Sequence, residues 1–163
     1  MEQTKQELYT ELNNVAPALM ANERHAVANL ANIAALLGSE LPDINWAGFY
    51  LMDGGELVLG PFWGKPACLR IPLTRGVCGA AASAGKNLLV PDVHLFAGHI
   101  GCDAASASEI VLPLRRDGRV IGVLDLDSPR KNRFDAADEA GLDRLARALE
   151  AGCDFSRCGY SLR

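Results

Sequence analysis

No stretch of this chain is apolar for the roughly 20 residues that a bilayer crossing takes. No basic patch or run stands out either: the net charge is −4 and the basic residues are scattered, which argues against a nucleic-acid binder. The opening residues, MEQTKQELYTEL, lack the basic start and apolar core of a secretion signal, so the expected location is the cytoplasm. There is no Cys-x-x-Cys pair and no His-x-x-x-His pair, so the usual knuckles of a zinc site are missing. Neither an internal repeat nor a Pro-, Gly- or Ser-rich linker breaks the chain.

What remains is an ordinary globular composition. The chain has 163 residues, of which 49% are hydrophobic and 22% charged, enough for one domain with one sizeable core. Apolar spacing at Leu8, Leu12, Val15 and Leu19 predicts a helix over 4–20. A second helix is expected from a cap at Asn22 to a stop at Gly38, with Val27, Leu30, Ala34 and Leu37 on its inner face. Strands are expected over 44–52 and 56–63, joined at Asp53-Gly54-Gly55, and over 67–73. The small-residue segment 75–86 predicts a short helix, and 87–93 another strand. Residues 94–108 carry no periodicity, and a loop that long in a small domain is usually functional or disordered. Two further strands, EIVLPL and RVIGVLDLDS, meet at Asp117-Gly118. Asp135 and Asp138 open a closing helix whose inner face carries Leu142, Leu145, Leu149 and Cys153. This order predicts an α+β fold, a central antiparallel sheet with the N-terminal and C-terminal helices packed on one side.

Asp125 and Asp127 alternate along one strand and so share a face. A two-residue turn at Asp117-Gly118 would set Glu109 opposite Leu126, on the wrong side. A three-residue loop, Arg116-Asp117-Gly118 with Gly118 in a left-handed bulge, sets Glu109 opposite Asp125. It also gathers Ile110, Leu112 and Leu114 with Leu124 and Val120 on the other face, and the sequence is read that way. Three acids then share one patch. Either they face water or bond the long loop, or they are shielded, and then one of them keeps its proton at neutral pH. A shielded set would hold a ligand with an ammonium group and a basic oxygen.

The five cysteines stand at 68, 78, 102, 153 and 158. An odd count in a chain without an export signal argues against a disulfide framework. Cys153 fits the core of the closing helix, and Cys158, in the tail, has no assigned role. Cys102 differs in lying within the long loop. His94, His99 and Cys102 with Cys68 or Cys78 would supply enough ligands for zinc, without the spacing of a zinc motif. A redox role instead needs a nucleophilic thiolate and a second thiol to resolve it.

The segments INWAGFYL, LGPFWGKPACLRI, GVCGAAA, VPDVHLFAGHIGCDAASASEIVLPL and GRVIGVLDLDSP together resemble the free methionine-R-sulfoxide reductase family, which is built on a GAF domain. The likeness is dense over 45–134 and looser in the flanking helices. It implies a single GAF domain over 1–163 and a homodimeric enzyme without cofactor or metal. That enzyme would reduce free L-methionine-(R)-S-oxide and be recycled by thioredoxin. Position by position, Cys102 matches the family's catalytic cysteine, Cys68 the main resolving cysteine and Cys78 an auxiliary thiol. Trp46, Glu109, Asp125 and Asp127 match substrate-contacting positions. Trp63 stands where the family leads one to expect a polar residue, and Cys153 and Cys158 have no counterpart. The rival reading is a non-catalytic GAF module that binds a small metabolite as a sensor, although a sensor has no need of Cys68 and Cys102 together.

Overall fold

The computed structural model describes residues 3–162. Four helices and six strands follow in the order α1 (Lys5–Met20), α2 (Ala26–Glu40), β1 (Trp46–Asp53), β2 (Glu56–Gly64), β3 (Arg70–Ile71), α3 (Gly76–Ala84), β4 (Leu88–Val90), β5 (Ser108–Arg116), β6 (Arg119–Ser128) and α4 (Ala136–Gly152). The strands form one sheet in the order β3-β2-β1-β6-β5-β4, with antiparallel neighbours throughout.

Strand alternation sorts the apolar side chains into two layers. On one face, Phe49, Leu51, Ile110, Leu112, Leu124 and Leu126 pack against α1, α2 and α4, and Cys153 and Cys158 belong to this layer. On the other face, Trp46, Tyr50, Val111 and Val123 pack with Val77, Cys78 and Ala81 of α3. The terminal helices therefore share one side, and the small helix covers the other.

α4 starts where Asp135 caps it. The Asp135 carboxylate accepts from the Ala137 and Asp138 amides, while Asp138 returns a bond to the Asp135 amide at 2.8 Å. Asp138 is fully buried, and it also accepts from Arg133 at 2.8 Å and from the Tyr9 hydroxyl at 2.9 Å. That last bond explains the first departure from expectation. α1 buries Tyr9, Leu12, Ala16 and Met20, and leaves Val15 and Leu19 42% and 44% exposed. Tyr9 lies so close over Gly141 that a Cβ there would sit 2.2 Å from its ring. The Tyr9–Asp138 tie thus sets the rotation of α1, overriding the stripe the periodicity offered.

α2 begins at Ala26 and runs through Gly38 to Glu40. Gly38 does not end the helix; it admits the Trp63 indole, whose nearest atom would lie 2.1 Å from a Cβ at that position. Trp63 therefore packs β2 onto α2. The strand expected over 67–73 shrinks to Arg70–Ile71.

The β5–β6 hairpin corrects the predicted register. Arg116 pairs with Arg119, so the turn has two residues, Asp117 and Gly118, both with positive φ, a conformation that glycine adopts freely and aspartate tolerates. The extra residue sits further in: Leu114 pairs with Gly122 but Arg115 with Val120, which leaves Ile121 as the bulge. Glu109 consequently faces Asp127, not Asp125, and Asp125 faces Val111. Val120 joins the α3 side, and Ile121 takes the place expected of it on the helical side.

Candidate active site

The floor of the site is the α3 side of β5 and β6. Glu109 and Asp125 are buried there, 6% and 5% exposed, and Asp127 is half-buried beside them. From above, α3 lowers Cys78 onto the pair. Its thiol donates to Glu109 Oε1 at 3.9 Å. Burial pushes the Glu109 carboxyl well above the usual range, and the charges of Asp125 and Asp127 push it further. Asp127 is raised for the same reasons, burial first and then Asp125 and Asp103. Burial alone raises Asp125, while bonds from Cys78 and Glu109 hold it down, and it comes to about 6. Acids this close and this buried cannot all be ionised at neutral pH, and Asp125, the least raised, is the first to lose its proton. Asp125 Oδ1 is buried without any hydrogen-bond partner. Burial, with Asp125 and Glu109 nearby, also raises the Cys78 thiol well above its ordinary pKa, so it stays protonated.

One wall is aromatic. Trp46 stacks on Phe62 with ring centroids 5.5 Å apart and on Tyr50 at 5.8 Å. Its indole N–H donates to the Lys65 carbonyl at 3.2 Å. The opposite rim is the segment 94–107, which is fastened rather than loose. Val93 N–H donates to Ala107 O at 2.9 Å, Ala107 N–H to Ser128 O at 2.7 Å and Gly76 N–H to Gly98 O at 3.0 Å. Asn45 donates to Ser106 at 3.1 Å, and Lys65 reaches Asp103 at 3.7 Å.

That segment brings Cys102 to Cys68. The two form a disulfide with Cα atoms 5.6 Å apart across 34 residues of sequence, within the span a disulfide accepts. Tyr50 steadies the Cys68 side, its hydroxyl donating to the Cys68 carbonyl at 2.9 Å. Cys102, Cys78, Trp46, Glu109, Asp125 and Asp127 line one cavity of about 560 Å³ including its open mouth.

All seven residues singled out in the sequence thus meet at one place. The zinc set built on His94, His99 and Cys102 does not form, because the disulfide consumes Cys102 and Cys68. His99 enters the cavity instead, with Nε2 3.8 Å from Glu109 Oε2. Burial, and then His94, lower its pKa. Sequence reasoning missed Tyr50 and Asp103 altogether. Tyr50 had a legible signal: it lies four residues after Trp46 in the same strand, and hence on the same face.

A six-stranded antiparallel sheet with terminal helices on one face, and an acid-lined pocket roofed by a short helix on the other, defines a GAF-domain protein. The GAF domain family matches residues 25–152. The chain is 56% identical to the free methionine-R-sulfoxide reductase of Escherichia coli, over 90% of this chain and 88% of that protein. It is 40% identical to the free methionine-R-sulfoxide reductase of Saccharomyces cerevisiae, over 93% and 88%. A crystal structure of the Neisseria meningitidis free methionine-R-sulfoxide reductase in complex with its substrate superimposes with a TM-score of 0.89 at 46% identity, covering 93% of this chain and 91% of that one. The chain belongs to the free methionine-R-sulfoxide reductase family.

Proposed function

We propose that the protein reduces free L-methionine-(R)-S-oxide to L-methionine, with Cys102 as nucleophile and Cys68 as resolving thiol. The observation that carries this reading is the Cys68–Cys102 disulfide beside a pocket floored by the buried acids Glu109 and Asp125. The ionised Asp125 receives the substrate ammonium at its unpartnered Oδ1, and Asp127 stands beside it. Trp46 packs on the methylthio end. Glu109 gives its proton to the sulfoxide oxygen, which makes the sulfur electrophilic.

Cys102 then attacks the protonated sulfoxide sulfur. The hydroxyl passes from that sulfur to the Cys102 sulfur as the transient S–S bond and the methionine S–O bond break, so that methionine departs with the electron pair and Cys102 is left as a sulfenic acid. Cys68 displaces that oxygen as water and closes the disulfide. A dithiol reductant, thioredoxin, exchanges it back to two thiols. Oxygen leaves as one water per turnover, and the reductant supplies both electrons. Cys78 is protonated and buried in the disulfide form, so its part in resolution is auxiliary. A free amino acid fits the demand for an ammonium group at the pocket floor, which a residue within a protein chain does not carry.

The whole chain serves as one domain, a reading supported by α1, which lies outside the matched span yet shares the core of α4 through Tyr9 and Leu12. The resemblance further supports a homodimer at work in the cytoplasm; among the described residues no helix is long and apolar enough to cross a membrane. The deciding experiment is single-turnover reduction by pre-reduced protein, comparing both epimers and a peptide-bound sulfoxide. Reaction of the free R epimer alone is expected; turnover of the S epimer or the peptide overturns the assignment.

A further inference from the structure

Cys78, Glu109 and Asp125 do more than shape an acid pair. Their ligating atoms all lie within 4.8 Å of one another, and each side chain is buried on a different rigid element, α3, β5 and β6. Zinc bonded tetrahedrally to sulfur and oxygen at about 2.0–2.3 Å separates its ligand atoms by about 3.3–3.8 Å. The Cys78 Sγ–Glu109 Oε1 distance of 3.9 Å is only slightly longer than such an edge. On the other side of the same carboxylate, His99 Nε2 stands 3.8 Å from Glu109 Oε2. A second and independent feature points into this group: Asp125 Oδ1 is buried with no hydrogen-bond partner.

We propose that this pocket binds a borderline divalent cation of the zinc class through Cys78, Glu109 and Asp125. A thiolate with two carboxylates favours zinc or cobalt over magnesium and calcium, which take oxygen ligands only. The Cys78 thiol proton, and any proton held by Glu109, leave to solvent as the metal bonds form. The ion is an inhibitor and not a cofactor, because it occupies the position proposed for the substrate ammonium. Only that inhibitory consequence rests on the functional reading above; the binding itself does not.

The test uses Co²⁺ as a spectroscopic probe on the disulfide form, in which Cys68 and Cys102 offer no thiolate. One equivalent is expected to produce a thiolate-to-cobalt charge-transfer band. The band should persist in the Cys153→Ser/Cys158→Ser protein and be abolished in Cys78→Ser, which leaves no thiolate at the site. Glu109→Gln gives a second variant, should Cys78→Ser fail to fold. Wild-type protein without the band, or a band that follows Cys153 and Cys158, overturns the metal site. A parallel titration uses Cys68→Ser/Cys102→Ser protein, to which free methionine sulfoxide is then added. Loss of the band on adding sulfoxide supports competition. A band that survives saturating sulfoxide keeps the metal site but refutes the ammonium position at Asp125. Full single-turnover activity without any band refutes the metal site and leaves the reductase reading intact.

Discussion

The Tyr50 hydroxyl holds the Cys68 carbonyl at 2.9 Å, so Cys68, the resolving cysteine of the proposed mechanism, is fixed from a central strand although it lies in an irregular segment. Cys102 hangs instead from the 94–107 segment. The disulfide therefore joins a residue tied to a strand to one held by the fastened 94–107 segment.

From that asymmetry the two thiols should fail differently. Cys102→Ser is expected to release no methionine from free R-sulfoxide. Cys68→Ser should release about one equivalent and then stall with thioredoxin as reductant. Quantifying methionine per chain in a single turnover separates the two, and normal turnover by Cys102→Ser removes it as nucleophile.

Asp125 comes to about 6 in the folded protein, so its grip on an ammonium group should fade as pH falls through that value. Binding of free methionine sulfoxide to the Cys68→Ser/Cys102→Ser protein should weaken about tenfold per unit below it. Calorimetry from pH 5 to 8 reads this directly. The same profile in Asp125→Asn should be flat and weak.

The same carboxyl costs the fold stability. A group whose folded pKa is raised binds its proton more tightly when folded, so its contribution is fullest below its unfolded pKa of about 3.9 and is lost as pH rises through about 6. Asp125→Asn is therefore expected to stabilise the protein at pH 7, by up to about 3 kcal/mol, while impairing turnover. Thermal melts at pH 4 and pH 7 check the sign: the gain should appear at pH 7 and vanish at pH 4.

Asp138 offers the opposite case. It is fully buried and receives Arg133, Tyr9 and Lys5. Asp138→Ala should cost about 3–5 kcal/mol because it leaves the Arg133 guanidinium buried and unpaired. Denaturant unfolding would measure the loss, and the folded fraction should keep its kcat.

Gly38 and Trp63 should be coupled. Gly38→Ala drives a Cβ into the indole and is expected to cost about 1–3 kcal/mol. With Trp63→Ala in place, the same Gly38→Ala change should become neutral or favourable, since alanine is the better helix former. Additive losses in the double-mutant cycle would disprove the contact.

The sheet, the helices and their order were legible because burial on one or both faces leaves its period in the sequence. The α4 cap was legible too, because Asp135 and Asp138 form a local pattern. The face of α1 was not, since a distant partner, Asp138, turns Tyr9 inward. Nor was the hairpin register, for Ile121 is an unremarkable strand residue and nothing local marks it as the bulge. The acids were placed on the correct face through the wrong pairing, because two errors of one residue preserve parity. The Cys68–Cys102 pairing was an implication of family resemblance, and no spacing in the chain announces it. His99 was noticed as a ligand for the wrong set, because only folding tells which side of the 94–107 segment turns inward.

The two-layer arrangement has a consequence for oxidative stress. Cys153 and Cys158 lie beneath the sheet among the long helices, whereas Cys68, Cys78 and Cys102 lie above it. The sheet is a partition that neither set of sulfurs can cross without unfolding. A peroxide burst can oxidise the thiols above the sheet, yet within the folded chain it cannot crosslink them to the two below.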